Sequence, residues 1–126
     1  MSHLRTCSIK LQNIDTAIAT EAMVQIAEEL GGEVVNVVTD YYGNQMPVIS
    51  GVKAPGIRGF GVTVEDNQVK VVGDPYMSKI KLEDFASIFQ QTYTAIAVRK
   101  SLAKLGYSVS TKKESKTVYV YGVKVW

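Results

Sequence analysis

The sequence has few of the residues that cross-link chains or bind transition metals. Its 126 residues include one cysteine, Cys7, and one histidine, His3. A single thiol cannot form an internal disulfide, so a disulfide-stapled scaffold is excluded. One Cys and one His also cannot assemble the usual zinc sites within one chain. We therefore predict no cofactor and no metal, although carboxylate-only sites for magnesium or calcium stay open.

Long hydrophobic runs and a strong excess of one charge are also missing. No apolar stretch approaches the roughly 20 residues of a membrane span, and the N-terminus lacks the apolar segment of a signal peptide. The net charge of +2 is too small to predict a partner. With 46% hydrophobic and 21% charged residues, the composition is that of a folded domain. We expect one domain over residues 1–126, located inside the cell and without a membrane partner.

Two amphipathic helices are the clearest local features. Apolar residues at every fourth position from Ile14 to Leu30 predict a helix over 14–30, which Gly31 and Gly32 end. A second helix is predicted over 81–105, with acids in its first turn and bases near its end, as the helix dipole favours. Alternating or β-branched stretches predict strands at 5–12, 33–39, 48–52, 57–65, 68–73, 107–111 and 117–126.

The resulting order is β-α-β-β-β-β-α-β-β. Strands clustered between two helices favour an α+β fold with a largely antiparallel sheet. Each helix also lies between two strands, and two such β-α-β units on one sheet would give an elaborated ferredoxin-like core.

Residues 51–61 form the most glycine-rich segment, and residues 51–56 within it are interpreted as a loop before the strand at 57–65. Lys53 and Arg58 there are candidates for binding an anion or small ligand, with His3 as a further candidate, since glycine-rich loops can cradle phosphates. The segment matches neither the P-loop pattern nor the dinucleotide-binding pattern. The alternative is a connecting segment in which glycines permit a bulge or close packing.

The C-terminal region is basic and rich in aromatic residues. It combines one acid, Glu114, with seven bases: Arg99, Lys100, Lys104, Lys112, Lys113, Lys116 and Lys124. Together with nearby tyrosines these bases are candidates for binding nucleic acid. The alternative is a solvated helix end followed by a lysine-rich hairpin tip that keeps an edge strand soluble.

The last strand is apolar on both faces, which indicates that both faces are covered. Tyr119, Tyr121 and Trp126 are candidate interface residues, and a two-fold homo-oligomer is the commonest arrangement of this kind. A central strand within the monomer is the alternative. Cys7 alternates with Ile9 and Leu11 and is interpreted as core, and no two carboxylates form an acid–base pair. We therefore predict that the protein is not an enzyme.

Several short motifs together resemble a known family. They are Met1-Ser2-His3 before a strand, Tyr41-Tyr42-Gly43-Asn44-Gln45, Gly59-Phe60-Gly61, Gly73-Asp74, Gln90-Gln91-x-Tyr93 and Lys104-Leu105-Gly106-Tyr107. This set resembles a small conserved family of unknown function from cyanobacteria and plastid genomes. The length is also similar to that of an uncharacterised archaeal-virus protein, which would imply the cytoplasm of the host cell. Both resemblances imply no assigned activity and no catalytic residues.

Three hypotheses about function follow from these observations. The first is a small intracellular α+β protein that acts through macromolecular contacts as a homo-oligomer. The second is a nucleic-acid-binding protein that uses the basic C-terminal region. The third is a small-ligand or enzyme site at residues 51–61.

Overall fold

The helices and strands follow one another in the predicted order. A computed structural model describes residues 4–11, 13–114 and 117–124, and from residue 108 onward it describes the backbone. The elements are β1 (Arg5–Ser8), α1 (Thr16–Leu30), β2 (Glu33–Thr39), β3 (Gln45–Ala54), β4 (Ile57–Glu65), β5 (Gln68–Gly73), α2 (Leu82–Lys104), β6 (Tyr107–Glu114) and β7 (Thr117–Lys124).

The first five strands form one antiparallel sheet in the order β1-β5-β4-β3-β2. The edge strands β1 and β2 therefore run in the same direction, and α1 connects one edge to the other. The predicted α+β class with an antiparallel sheet is confirmed. The ferredoxin-like core is not confirmed, because β6 and β7 form a separate two-stranded ribbon that contacts α2, so only one β-α-β unit belongs to the large sheet.

Both ends of α1 are specified by local chemistry. Asp15 Oδ1 accepts hydrogen bonds from the N–H groups of Ala17 and Ile18 at 2.9 and 3.1 Å, which satisfies two donors of the first turn. Gly31 adopts φ +70° at the other end, the left-handed conformation that closes many helices. The N–H of Asp15 donates to Tyr93 Oη of α2 at 2.8 Å, so the start of α1 is fixed to the second helix.

The main core lies between the two helices and one face of the large sheet. Phe85 and Phe89 of α2 are fully buried, as are Met23 of α1 and Phe60 of β4. The rings of Phe60 and Phe85 meet edge to face with centroids 5.0 Å apart. Cys7, predicted as core, is partly buried against this cluster. These large side chains join the helices to the sheet.

The β2–β3 hairpin bends sharply in its middle. Val35 pairs with Gly51 and Val37 pairs with Pro47, so residues 48–50 of β3 lie opposite Asn36 alone. Extra residues on one strand of a pair bend that strand and interrupt its hydrogen-bond ladder. The distal half of the hairpin therefore leaves the plane of the sheet.

This distal half folds over the sheet face that is opposite the helices. Val38 is 0% exposed and lies against Gly59 of β4, while Val48 lies against Gly61. A Cβ atom at Gly61 would come within 2.7 Å of a Val48 methyl carbon, so the close approach requires glycine there. Val72, whose neighbour Val71 belongs to the main core, is also buried. The sheet is thus covered on both faces along β4 and β5.

The interpretation of residues 51–56 as a loop is wrong for residues 51–54, which belong to β3. The turn is Pro55-Gly56, with Gly56 at φ +79°. The strand predicted over 57–65 is confirmed as β4. Gly59 and Gly61 are strand positions that the folded-back hairpin approaches, as the alternative of close packing predicts. Among the described residues, none of the helices has the length and apolar character needed to cross a membrane.

Candidate binding surface

A buried carboxylate shapes the loop at the end of the folded-back hairpin. Asp40 follows β2 and is 6% exposed. Its Oδ1 accepts hydrogen bonds from the N–H groups of Tyr42 and Asn44 at 2.9 and 2.8 Å, and its Oδ2 accepts from the Asn44 side-chain amide at 2.8 Å. These bonds, those from Asn44 above all, hold the pKa of Asp40 below its usual value, because they favour the charged form. The loop over residues 40–44 is therefore well ordered by its own side chains.

A second buried carboxylate joins this loop to the segment after β5. Asp74 Oδ2 accepts from the N–H of Tyr41 at 2.8 Å, and Asp74 Oδ1 accepts from the N–H of Tyr76 at 2.9 Å. Arg58 Nη1 lies 3.7 Å from Asp74 Oδ2 and donates to the carbonyl oxygen of Tyr76 at 2.9 Å. Three distant parts of the sequence are therefore fastened together around one carboxylate.

The aromatic rings above this carboxylate are in mutual contact. The Tyr41 ring meets the Tyr76 ring at 5.2 Å and the Tyr42 ring at 5.4 Å, both edge to face. The Arg58 guanidinium lies 5.2 Å from the centre of the Tyr41 ring, a cation–π contact. This packing fixes the orientation of Tyr41.

These side chains are nevertheless open to solvent. Tyr41, Tyr42 and Tyr76 are 53%, 69% and 41% exposed, and Met77 is 76% exposed. Met77 also adopts φ +57°, an unfavourable conformation for a residue with a side chain. Contiguous exposed apolar groups on a soluble protein mark interaction sites. The loop thus presents large apolar side chains to solvent on a rigid support.

Cations surround these exposed rings. Lys53 and Arg58 line a small depression of about 310 Å³ together with Tyr76 and Met77. The side chain of Lys79 lies over Gly56, which itself lines the depression. We define the tyrosine surface as these exposed rings, Met77 and the three bases: Tyr41, Tyr42, Tyr76, Met77, Lys53, Arg58 and Lys79. The two carboxylates beneath it are buried.

A larger cleft begins beside the tyrosine surface and follows the bend of the β2–β3 hairpin. Its volume is about 800 Å³, and Lys53 and Arg58 line it as well. Asn36, Gln45 and Ser50 supply polar groups. The structure thus brings the two predicted ligand residues together at one concave site, although on strands and not on a loop.

Among the described residues, the basic side chains predicted to bind nucleic acid are distributed over α2, β6 and β7. Arg99 and Lys100 form ion pairs with Glu21 of α1 at 3.4 and 3.0 Å, and Lys104 lies exposed at the end of α2. Lys112 and Lys113 belong to β6, and Lys124 belongs to β7. Lys116 lies outside the described residues, as does His3. Binding by this set of bases stays a prediction.

The predicted interface residues fall on the last ribbon. Tyr119 of β7 pairs with Lys112, and Tyr121 of β7 pairs with Ser110. Trp126 lies outside the described residues. Within the described residues β7 pairs with β6 alone, so the alternative of a central strand is wrong.

Sequence reasoning missed the tyrosines of this surface. Tyr41 and Tyr42 belong to one of the motifs of the resemblance, and no sequence pattern predicts a role for Tyr76. One signal is present: each of these tyrosines lies within two residues of an aspartate that follows a strand. Aspartates there often accept hydrogen bonds from the next backbone N–H groups, which makes the loop rigid.

No metal centre is evident at this surface. In the parts of the chain that the structure describes, no three or more His, Cys, Asp or Glu side chains are grouped so that they could hold a metal ion. Comparisons with protein-family models, curated proteins and solved structures give no match to this chain. The resemblance to the cyanobacterial and plastid family therefore stays a prediction.

Proposed function

We propose that this protein binds single-stranded nucleic acid through the tyrosine surface and acts as a binding protein, not as an enzyme. The observation that supports the proposal is the contact of the exposed Tyr41 ring with the exposed rings of Tyr42 and Tyr76 and with the Arg58 guanidinium. Proteins that bind single strands combine aromatic side chains for base stacking with cations for the phosphates. The tyrosine surface combines both kinds of group.

The support beneath the surface favours stacking. Because Asp40 and Asp74 fix the backbone on both sides of the rings, little backbone freedom remains to be lost on binding. The carboxylates are also buried below the rings, so they do not face a phosphate directly. Lys53 and Lys79 are exposed and available to the strand.

Fluorescence anisotropy of labelled single-stranded DNA and RNA tests the proposal. If Lys53, Arg58 and Lys79 each neutralise one phosphate, the slope of log affinity against log salt is about −2, and affinity decreases about 20-fold between about 50 and 200 mM salt. Tyr42→Ala is expected to weaken binding by about 1–3 kcal/mol, whereas Tyr42→Phe retains binding. Val24→Ala, an exposed residue of α1, is the matched control.

The same titration distinguishes this surface from the basic C-terminal region. Neutralising Lys112, Lys113 and Lys116 together is expected to change affinity little. Loss of binding in that variant, with Tyr42→Ala unaffected, would move the binding site to the C-terminal bases. Absence of binding at low salt would contradict both proposals.

We also propose self-association through β7, which is favoured by a separate observation. In the described residues β7 has one strand neighbour, β6, so one edge of β7 has no strand beside it. That edge can pair with a second copy. Light scattering should then give twice the monomer mass of 13.8 kDa, and Tyr121→Lys should restore the monomer because charge on an edge opposes pairing. Ser87→Lys on α2 is the control, and a monomer at high concentration would contradict the proposal.

A further inference from the structure

The cleft at the bend contains an unsatisfied buried hydroxyl group. Ser50 is 2% exposed, lines the cleft, and its Oγ has no hydrogen-bond partner among the described residues. A buried polar group without a partner destabilises a fold, and native structures have few of them. A larger apolar or alanine side chain would avoid this penalty. A molecule bound in the cleft would supply the missing partner.

The bend leaves the part of β3 that carries this hydroxyl without a regular strand partner on one side. Ser50 pairs with Val62 on the β4 side, but on the β2 side residues 48–50 face Asn36 alone. The interrupted ladder opens the sheet at this point. This opening forms the floor of the cleft. The residues on either side of the opening belong to regular strands, so the fold holds the cleft in one shape.

The lining of the cleft indicates the chemistry of its occupant. Asn36 and Gln45 carry side-chain amides, which both donate and accept hydrogen bonds, and Ser50 adds a hydroxyl. Lys53 and Arg58 add two positive charges where the cleft meets the tyrosine surface, and Glu33, which pairs with Lys53 across the β2–β3 hairpin, adds one carboxylate. A nucleotide has the matching groups, a base edge with donors and acceptors and an anionic phosphate. The volume of about 800 Å³ is in the range of small-molecule sites.

We propose that this cleft binds one nucleotide of the strand, with the phosphate at Lys53 and Arg58 and the base edge hydrogen-bonded to Ser50. The inference rests on the proposed function and extends it. The tyrosine surface stacks on any base, whereas the cleft recognises one particular base. Stacking tolerates every base, while hydrogen bonds to a base edge discriminate among them. Binding of short strands is therefore expected to depend on sequence.

Isothermal titration with the four nucleoside monophosphates, each used separately, tests the inference. One monophosphate is expected to bind more tightly than the others, and Ser50→Ala is expected to weaken it about 5- to 150-fold. Ser87→Ala, an exposed serine of α2, is the matched control. Ribose 5-phosphate is the second probe, and equal affinity for it would overturn the assignment of a base to the cleft.

Thermal unfolding of Ser50→Ala gives an independent readout. Because the substitution removes an unsatisfied buried hydroxyl, the variant is expected to be at least as stable as the wild type. A less stable variant would show that Ser50 has a structural role and would overturn the inference.

The outcomes separate the two proposals. Single strands that bind with unchanged affinity to Ser50→Ala would overturn the cleft assignment and leave the tyrosine surface in place. Monophosphate binding that depends on Ser50, without binding of single strands, would support the cleft and overturn the proposed function. Absence of both kinds of binding would overturn both.

Discussion

The carboxylate of Asp74 accepts a hydrogen bond from the backbone N–H of Tyr41 at 2.8 Å, although 33 positions separate the two residues. This bond fastens the folded-back end of the β2–β3 hairpin to the segment after β5. The position of the exposed tyrosines therefore depends on a residue that is itself inaccessible to solvent.

Replacing Asp74 by alanine is expected to destabilise the protein. The variant leaves the N–H groups of Tyr41 and Tyr76 without an acceptor and leaves Arg58 without its counter-charge. Removing one partner of a buried ion pair lowers the free energy of unfolding by about 3–5 kcal/mol. Urea unfolding should show this loss, whereas Glu28→Gln on the exposed face of α1 should stay within about 0.5 kcal/mol of the wild type. A small loss of stability would mean that contacts other than those of Asp74 hold the end of the β2–β3 hairpin in place.

The pKa of Asp40 predicts a dependence of stability on pH. Its hydrogen bonds lower the pKa from the ordinary 3.8, so the folded protein binds this proton more weakly than the unfolded chain does. The resulting stability is fully present above the unfolded pKa and decreases as pH falls through the lower folded pKa. Urea midpoints of the wild type and Asp40→Asn should therefore converge as pH is lowered from about 6 to about 2.

The control for this experiment is Asp66→Asn, at an exposed turn position that asparagine also adopts. It removes one carboxylate without disturbing the loop over residues 40–44. Parallel curves for the wild type and Asp40→Asn across the acid range would contradict the assigned role of the Asp40 hydrogen bonds.

The close approach of Val48 to Gly61 predicts a rescue between two substitutions. Gly61→Ala places a methyl group against the Val48 side chain, and overpacking of this kind costs about 1–3 kcal/mol. Val48→Ala removes the obstructing methyl groups. The double variant should therefore lose less free energy of unfolding than the two single variants lose together. Additive losses, measured by chemical denaturation, would argue against the folded-back hairpin.

The ion pairs of Glu21 provide a test of the basic C-terminal region. Glu21→Gln releases Arg99 and Lys100 from their partner and raises the local positive charge. If single strands bind at the tyrosine surface, the substitution should change little in their affinity or in the slope of log affinity against log salt concentration. If the C-terminal bases bind them, affinity should increase at low salt because more cations face the phosphates. Anisotropy titrations of both proteins distinguish the two cases.

The order of helices and strands was predictable because each element has a local signal. The apolar period of α1, its Asp15 cap and its Gly31 stop all act within a few residues. The Asp66-Asn67 turn was predictable for the same reason, since both residues adopt positive φ angles of 54° and 61° that favour Asn and Asp. Such features do not require knowledge of distant contacts.

The bend and the binding surface were not predictable, because both depend on contacts between distant residues. Gly59 and Gly61 lie in a strand that the sequence predicts, but the residues that approach them, Val38 and Val48, are distant in the sequence. Likewise, the glycine-rich segment predicts Lys53 and Arg58 as ligand residues, but their tyrosine neighbours come from other strand ends. Asp74 follows a predicted strand, but its partners Tyr41 and Arg58 are distant in the sequence.

The pairing of β1 with β5 has a consequence for how the chain is made. Arg5 pairs with Gly73 and Ser8 pairs with Lys70, so within this sheet the strand earliest in the sequence has as its neighbour the strand latest in the sequence. Until residue 73 has been synthesised, β1 lacks its partner in the sheet, while the β2–β3 and β3–β4 hairpins have theirs. Long-range pairing of this kind slows folding. The β1–β5 pair is therefore expected to be the last part of the sheet for which all the residues are available.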